Sequence, residues 1–242
     1  MIILLKISFF YRKIKLLRGT RKVKELFKNV YHVGDSGCSV YLINPSSGEE
    51  LVLIDCGMSL DLINKISKAG LNPKNIKHCI LTHFHIDHTA ACSDLKKMNK
   101  LVKFYAHDLD ADAIEEKGHE SETAASWYGV EYKPVKLEKR LKGDLEKIQL
   151  GQYEFQCIHT PGHTPGSISV LIEVDNIKIL FGQDIHGPFY KSFGSNLDDY
   201  QKSMQKLLDL NADILCEGHY GVIKPASEVN RFIRSHMDIN RP

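Results

Sequence analysis

The chain has 242 residues, 43% of them apolar and 26% charged, a composition that describes one large or two small globular domains and excludes a disordered or fibrous chain. Its net charge of +2 gives no reason to expect a nucleic-acid partner, and the bias that exists is local. Residues 1–24 carry eight cationic side chains and no acid, which leaves 24 basic against 30 acidic residues elsewhere, a net of −6 that disfavours attraction to a phosphate backbone.

The chain opens on "MIILLKISFF", well short of the roughly 20 apolar residues a spanning helix needs. The basic run follows the apolar one, the reverse of a secretory signal. Residues 1–22 are therefore expected to be an apolar, basic extension lying on a domain that runs from 23 to 242, with weak interfacial membrane association through residues 1–24 as the alternative. Six cysteines at wide spacings, with no CxxC pair, fit buried free thiols rather than a disulfide scaffold or zinc ribbon. With no secretory signal, the expected location is cytoplasmic.

Apolar runs bounded by turn residues predict strands at "SVYLINP", "ELVLIDCG" and "HCILTHF", with a helix over "SLDLINKISKAG" between the last two. Next come a helix "AACSDLKKMNK", a strand "VKFYAH" and a helix "DLDADAIEEK". Residues 117–142 have no clear period and hold the only tryptophan, Trp127; such segments often form binding loops, so Trp127 and Tyr128 are candidates to line a pocket. Four strands follow, "DLEKIQLG", "YEFQCIHTPG", "SISVLIEV" and "IKILFGQD", the last two joined by a hairpin turn at Asp175 and Asn176. An amphipathic helix "LDDYQKSMQKLLDLN", a strand "ADILCEGH" and a helix "SEVNRFIRSHM" close the chain. Two strand-rich halves, each followed by helices, predict two sheets packed face to face with helices outside.

The segment "THFHIDHTA" places three histidines and an aspartate within the six positions His83 to His88. Imidazole and carboxylate are zinc ligands, and a closed structural site takes four. His83 and His85 share one side of an extended turn, whereas Asp87 and His88 open the following helix, so the four divide more naturally between two neighbouring ions. Three further candidates sit in turns directly after apolar runs: His163 in "TPGHTPGS", Asp184 in "FGQD" and His219 in "EGHYG".

With these residues the chain resembles the metallo-β-lactamase fold hydrolases. "THFHIDHTA" matches that superfamily's H-x-H-x-D-H motif in full, and "TPGHTPGS", "FGQD" and "EGHYG" fall in the family's order. The resemblance implies an α/β fold, a four-layer αβ/βα sandwich of two mixed β-sheets packed face to face with helices outside. It implies two divalent ions, most often Zn2+ with Fe or Mn as substitutes, at one edge between the sheets. His83, His85 and His163 would hold the first ion, Asp87, His88 and His219 the second, and Asp184 would bridge them. Two ions sharing a water lower its pKa toward neutrality, providing hydroxide for attack on an ester or thioester carbonyl. Asp87 would orient it and carry a proton to the leaving group as the catalytic residue. Asp55 is the expected outer partner of a metal-site group, and His186, Tyr190 and Tyr220 are the expected substrate contacts.

The pattern is most similar to the glyoxalase II and lactonase-like branch, since Asp184 stands where the commonest β-lactamases carry cysteine. Two departures leave the substrate open among small-molecule esters, thioesters and lactones. Only about 20 residues follow His219, too few for a glutathione-binding helical region, and Gly187 occupies the position where quorum-sensing lactonases carry tyrosine. A mononuclear iron persulfide dioxygenase of the same fold and a non-catalytic metal-bound scaffold are the alternatives.

Overall fold

In the central strands of this protein both faces are apolar, and alternate residues feed two different cores. The computed structural model describes residues 23–34, 37–116, 118–119 and 121–242; the expected extension at 1–22 lies outside them. A first sheet contains, in spatial order, β1 Lys24–Phe27, β2 Val30–Gly34, β3 Val40–Ile43, β4 Leu51–Ile54, β5 Ile76–Ile80, β6 Lys103–His107 and β7 Lys139–Leu141. It is antiparallel from β1 to β4 and parallel from β4 to β7. A second sheet has the order β13 Gly221–Ile223, β12 Ile214–Glu217, β11 Ile177–Gln183, β10 Ile168–Val174, β9 Tyr153–His159 and β8 Leu145–Leu150. Only its β11–β12 pair is parallel.

The period-2 alternation of a strand makes this layering possible. Leu51 and Leu53 of β4 face the outer helices, whereas Val52 and Ile54 join Tyr41, Ile43, Phe155, Val170 and Phe181 between the sheets. On the outside of the first sheet lie α1 Leu62–Lys68, α3 Cys92–Met98 and α4 Asp108–Glu116. Outside the second lie α6 Leu197–Asp209 and α7 Ala226–Ile239, their apolar faces meeting at Tyr200, Met204, Leu207, Val229 and Ile233. The expected sandwich of two mixed sheets with helices outside is the observed architecture.

The hairpin at Asp175 and Asn176 also forms, both residues adopting positive φ as a type I′ turn requires. Strands β1, β2, β7 and β13 are not among the expected elements. Three of them are sheet edges, and edge strands are short and polar so as not to template another chain. "KELF" and "KRL" therefore carry no apolar alternation to read. The segment 117–142, expected to be irregular, contains β7 and the single turn α5 Ala125–Tyr128. All six cysteines are buried and free. Among the described residues no helix is long and apolar enough to cross a membrane.

Candidate metal centre

The C-terminal ends of β4, β5, β11 and β12 open at one edge of the sandwich, and there the sheets are tied directly to each other. The Ile168 amide donates to the Thr82 carbonyl at 2.9 Å and the Ser39 amide to Gly218 at 2.6 Å. Beyond β5 the chain bends at Thr82 and His83, runs extended at His85, and the short helix α2 Ile86–Thr89 then turns Asp87 and His88 toward the same point. His163 arrives from the turn after β9, Asp184 from the end of β11 and His219 from the end of β12. Six of the seven are buried; the His219 side chain, 25% exposed, stands at the mouth.

The seven side chains form two groups. His83, His85, His163 and Asp184 offer ligand atoms within 4.8 Å of one another, as do Asp87, His88 and His219. Asp184 lies between them: Oδ2 is 3.5 Å from His163 Nε2 and 4.0 Å from His83 Nε2, while the same oxygen is 3.2 Å from His219 Nε2 and Oδ1 is 3.2 Å from His88 Nε2. Asp87 Oδ2 is 3.3 Å from His219 Nε2.

Outer contacts aim these nitrogens. His88 Nδ1 meets Asp55 Oδ2 at 2.8 Å, and His163 Nδ1 donates to the Pro188 carbonyl at 2.9 Å. In each neutral ring the other nitrogen, Nε2, then carries a lone pair directed into the centre. Asp55, at a positive φ of 60°, also accepts from the amide and hydroxyl of Thr82, each at 2.8 Å.

The donor set fits divalent metal. Among the described residues, buried His83 Nε2, His88 Nε2 and Asp184 Oδ1 find no hydrogen-bond partner, an arrangement that costs free energy unless something electrophilic engages them. His85 Nδ1 and His163 Nε2 face each other at 2.9 Å; with His163 Nδ1 donating to Pro188, the proton between them comes from His85, and a bound ion would take its place. Converging imidazole lone pairs and a shared carboxylate suit Zn2+ and similar ions.

Electrostatics point the same way. Burial, reinforced by neighbouring imidazoles, holds His83 and His85 well below the usual histidine range, and burial lowers His163 to about 4. Burial opposes ionisation of Asp184, but His219 and His88 outweigh it and keep the carboxyl well below its ordinary value. Burial likewise opposes charge on His219, yet Asp184 lifts it to about 9. Burial opposes charge on His88 as well, but Cys38, Asp184 and Asp55 hold it well above its ordinary value; protons on His88 and His219 therefore compete with metal, so loading releases protons and strengthens as pH rises.

Three further side chains take roles at this edge, and of these only Tyr128 is among the expected candidates, as a pocket-lining residue. Asp110 of α4 accepts from Thr164 Oγ1 at 2.7 Å, Gly166 N at 2.6 Å and Phe84 N at 3.2 Å, tying the His83–His85 segment to the His163 turn. Glu217, fully buried, accepts from His219 N at 2.7 Å, Tyr220 N at 2.8 Å and His186 Nδ1 at 2.8 Å. The sequence does carry a signal for Glu217, an acid ending the apolar run "ILCE", as Asp55 follows "LVLI". Tyr128 donates from its hydroxyl to Asp87 Oδ2 at 3.1 Å. Of the expected substrate contacts, the His186 ring is 5.0 Å from His219 and 5.2 Å from Tyr220. Tyr190 lies on the other side, against Trp127 and Phe193.

Two predictions arise from this packing. An added Cβ at Gly218 would overlap Asp184 Oδ1 and come within 3.2 Å of His88 Cε1. Gly218→Ala is expected to keep the secondary structure yet weaken zinc binding by at least about tenfold in a competitive chelator titration, without altering any ligand. Burial pushes Asp110 up to about 7 against the pull of Thr164, Gly166 and Phe84. Its folded pKa then exceeds its unfolded value near 3.8, so the folded chain holds a proton that the unfolded chain releases, and this contribution to stability is full below about pH 4 and is lost as pH rises to about 7. Urea midpoints at pH 5 and pH 8 should differ less in Asp110→Asn than in the wild type; an unchanged difference would assign the pH dependence to other groups.

Comparison with known proteins places this geometry among relatives. The family model for the metallo-beta-lactamase superfamily matches residues 33–219. An uncharacterized protein of Aquifex aeolicus is 30% identical over 196 residues, 79% of this chain and 88% of that one. The hydroxyacylglutathione hydrolase GloC of Haemophilus influenzae is 29% identical over 195 residues, 76% of this chain and 87% of its own. Among solved structures, the metallo-beta-lactamase GOB-18 of Elizabethkingia meningoseptica superposes with a TM-score of 0.74 at 27% identity, covering 91% of this chain and 89% of that one.

Proposed function

The chain belongs to the metallo-β-lactamase superfamily, and from that premise we propose that it is a binuclear metal-dependent hydrolase of a small-molecule ester, thioester or lactone. One observation carries this reading: Asp184 stands within 4.0 Å of ligand nitrogens from both groups, as a carboxylate shared by two ions must. His83, His85 and His163 would hold one ion and Asp87, His88 and His219 the other. Bound there, divalent ions acidify water and polarise an acyl carbonyl.

The protein's own groups supply orientation and proton movement. Asp87 Oδ2, fixed between the Tyr128 hydroxyl and His219 Nε2, accepts the proton of the attacking water and returns it to the leaving group. Asp55 holds the His88 ring so that its free nitrogen faces the centre. Glu217 holds His186 beside His219 at the open side, where a substrate enters. The relative named hydroxyacylglutathione hydrolase favours the thioester among the three substrate classes.

The test is a zinc-loaded preparation assayed against thioesters, esters, lactones and a β-lactam, with metal content and oxygen uptake measured alongside. Two ions per chain with turnover of an acyl substrate are expected. One iron per chain with oxygen consumption would replace this reading by a persulfide dioxygenase, and no turnover of any substrate at full metal loading would favour a non-catalytic scaffold.

A further inference from the structure

Next to the histidine cluster the chain exposes aromatic rings that the chemistry so far leaves unused. Trp127 of α5 is 55% exposed and Tyr190 is 46% exposed, although large aromatic side chains gain most from burial. They come from segments 63 positions apart and meet edge to face, their rings 5.5 Å apart at 87°. Both rest on Phe193, at 5.2 and 5.3 Å. Phe193 is itself buried and lies 4.2 Å from the His85 ring. A chain of ring contacts therefore runs from a ligand-group histidine out to the exposed Trp127 and Tyr190.

We propose that Trp127 and Tyr190, seated on the buried Phe193, form the acyl-group subsite, and that the substrate carries an aromatic or extended apolar acyl group. This rests on the hydrolase reading above and names the substrate class within it. Orientation follows from the proton path. The leaving group must face Asp87, which returns the proton, and Asp87 belongs to the group opposite His85. The acyl substituent then extends toward the His85 side of the centre and onto the exposed rings of Trp127 and Tyr190. Tyr128, the neighbour of Trp127, reaches Asp87, so α5 contributes to both sides of the scissile bond. The three rings carry no charge, so the group they receive is apolar.

Trp127 is the only tryptophan in the chain, so its fluorescence reports this subsite without turnover. Phenylacetate, the product of a matching substrate, is titrated into zinc-loaded protein beside acetate. A saturable change for phenylacetate at a concentration at least about tenfold lower than for acetate is expected from ring contacts of this kind, and Tyr190→Ala should weaken it several-fold. In turnover, Trp127→Ala should cut the preference for phenylacetyl over acetyl thioesters by about tenfold, chiefly through KM, and Trp127→Phe should restore most of it. A fluorescence response identical for the two acids, or absent, overturns the subsite. Lack of turnover with a selective fluorescence response would instead retain the subsite and reject the hydrolase reading.

Discussion

Asp184→Ala is expected to leave a folded protein that retains less than one zinc per chain, with hydrolysis reduced by at least about 10³-fold, roughly 4 kcal/mol of barrier. The reason is its position. Among the described residues Asp184 is the only acid with an oxygen within 4.0 Å of each of His83, His163, His88 and His219, so none of the other described acids can substitute for both contacts. Removing it also strips the buried imidazoles of the negative charge that offsets them. Tyr190→Phe, outside both ligand groups, should keep two ions. Metal analysis after dialysis reads both variants, and two tightly held ions in Asp184→Ala would show that the carboxylate is not shared.

Asp55 produces the second large effect, and two substitutions separate its two roles. Asp55→Ala leaves the Thr82 amide, the Thr82 hydroxyl and His88 Nδ1 without the acceptor each meets at 2.8 Å. At about 1–3 kcal/mol for each buried group left unsatisfied, the loss should exceed roughly 3 kcal/mol. Alanine at a φ of 60° adds backbone strain. Asp55→Asn preserves the shape and an acceptor for Thr82, but its amide donates toward His88. The His88 proton then moves to Nε2, the nitrogen that should bind metal. This variant is expected to keep most of its stability in urea denaturation and to lose second-ion affinity by about 10–100-fold. Wild-type loading of both ions in Asp55→Asn would remove the tautomer argument.

The legibility of this protein divides along the same line as those contacts. Strands with apolar runs and helices with a clear stripe were readable because burial imposes periods of 2 and 3.6 on neighbouring residues. The edge strands β1, β7 and β13 were not, since an edge bonds on one side only and needs no apolar alternation. The residues of "THFHIDHTA" stood out as a set because they are adjacent in sequence. His163, Asp184 and His219 stood out as turn residues closing apolar runs.

Asp110 shows what such reading leaves out. In "DLDADAIEEK" it is one of several acids on an amphipathic helix, and nothing local separates it from Asp108 or Asp112. Folding alone buries it against Phe84, Thr164 and Gly166. Tyr128 differs in part, since the sequence offered it as a pocket-lining aromatic, but only α5 brings its hydroxyl to Asp87.

By itself, then, the sequence determined the layer pattern and made candidates of seven side chains with metal-binding atoms, because both are written in residue type and local spacing. Only the tertiary structure decided that Asp184 lies between two groups, that Asp55 and Pro188 set the histidine nitrogens, and that Trp127 meets Tyr190 beside His85. Those are distances between elements 25 to more than 100 residues apart, and they are set by how two sheets pack rather than by any period along the chain.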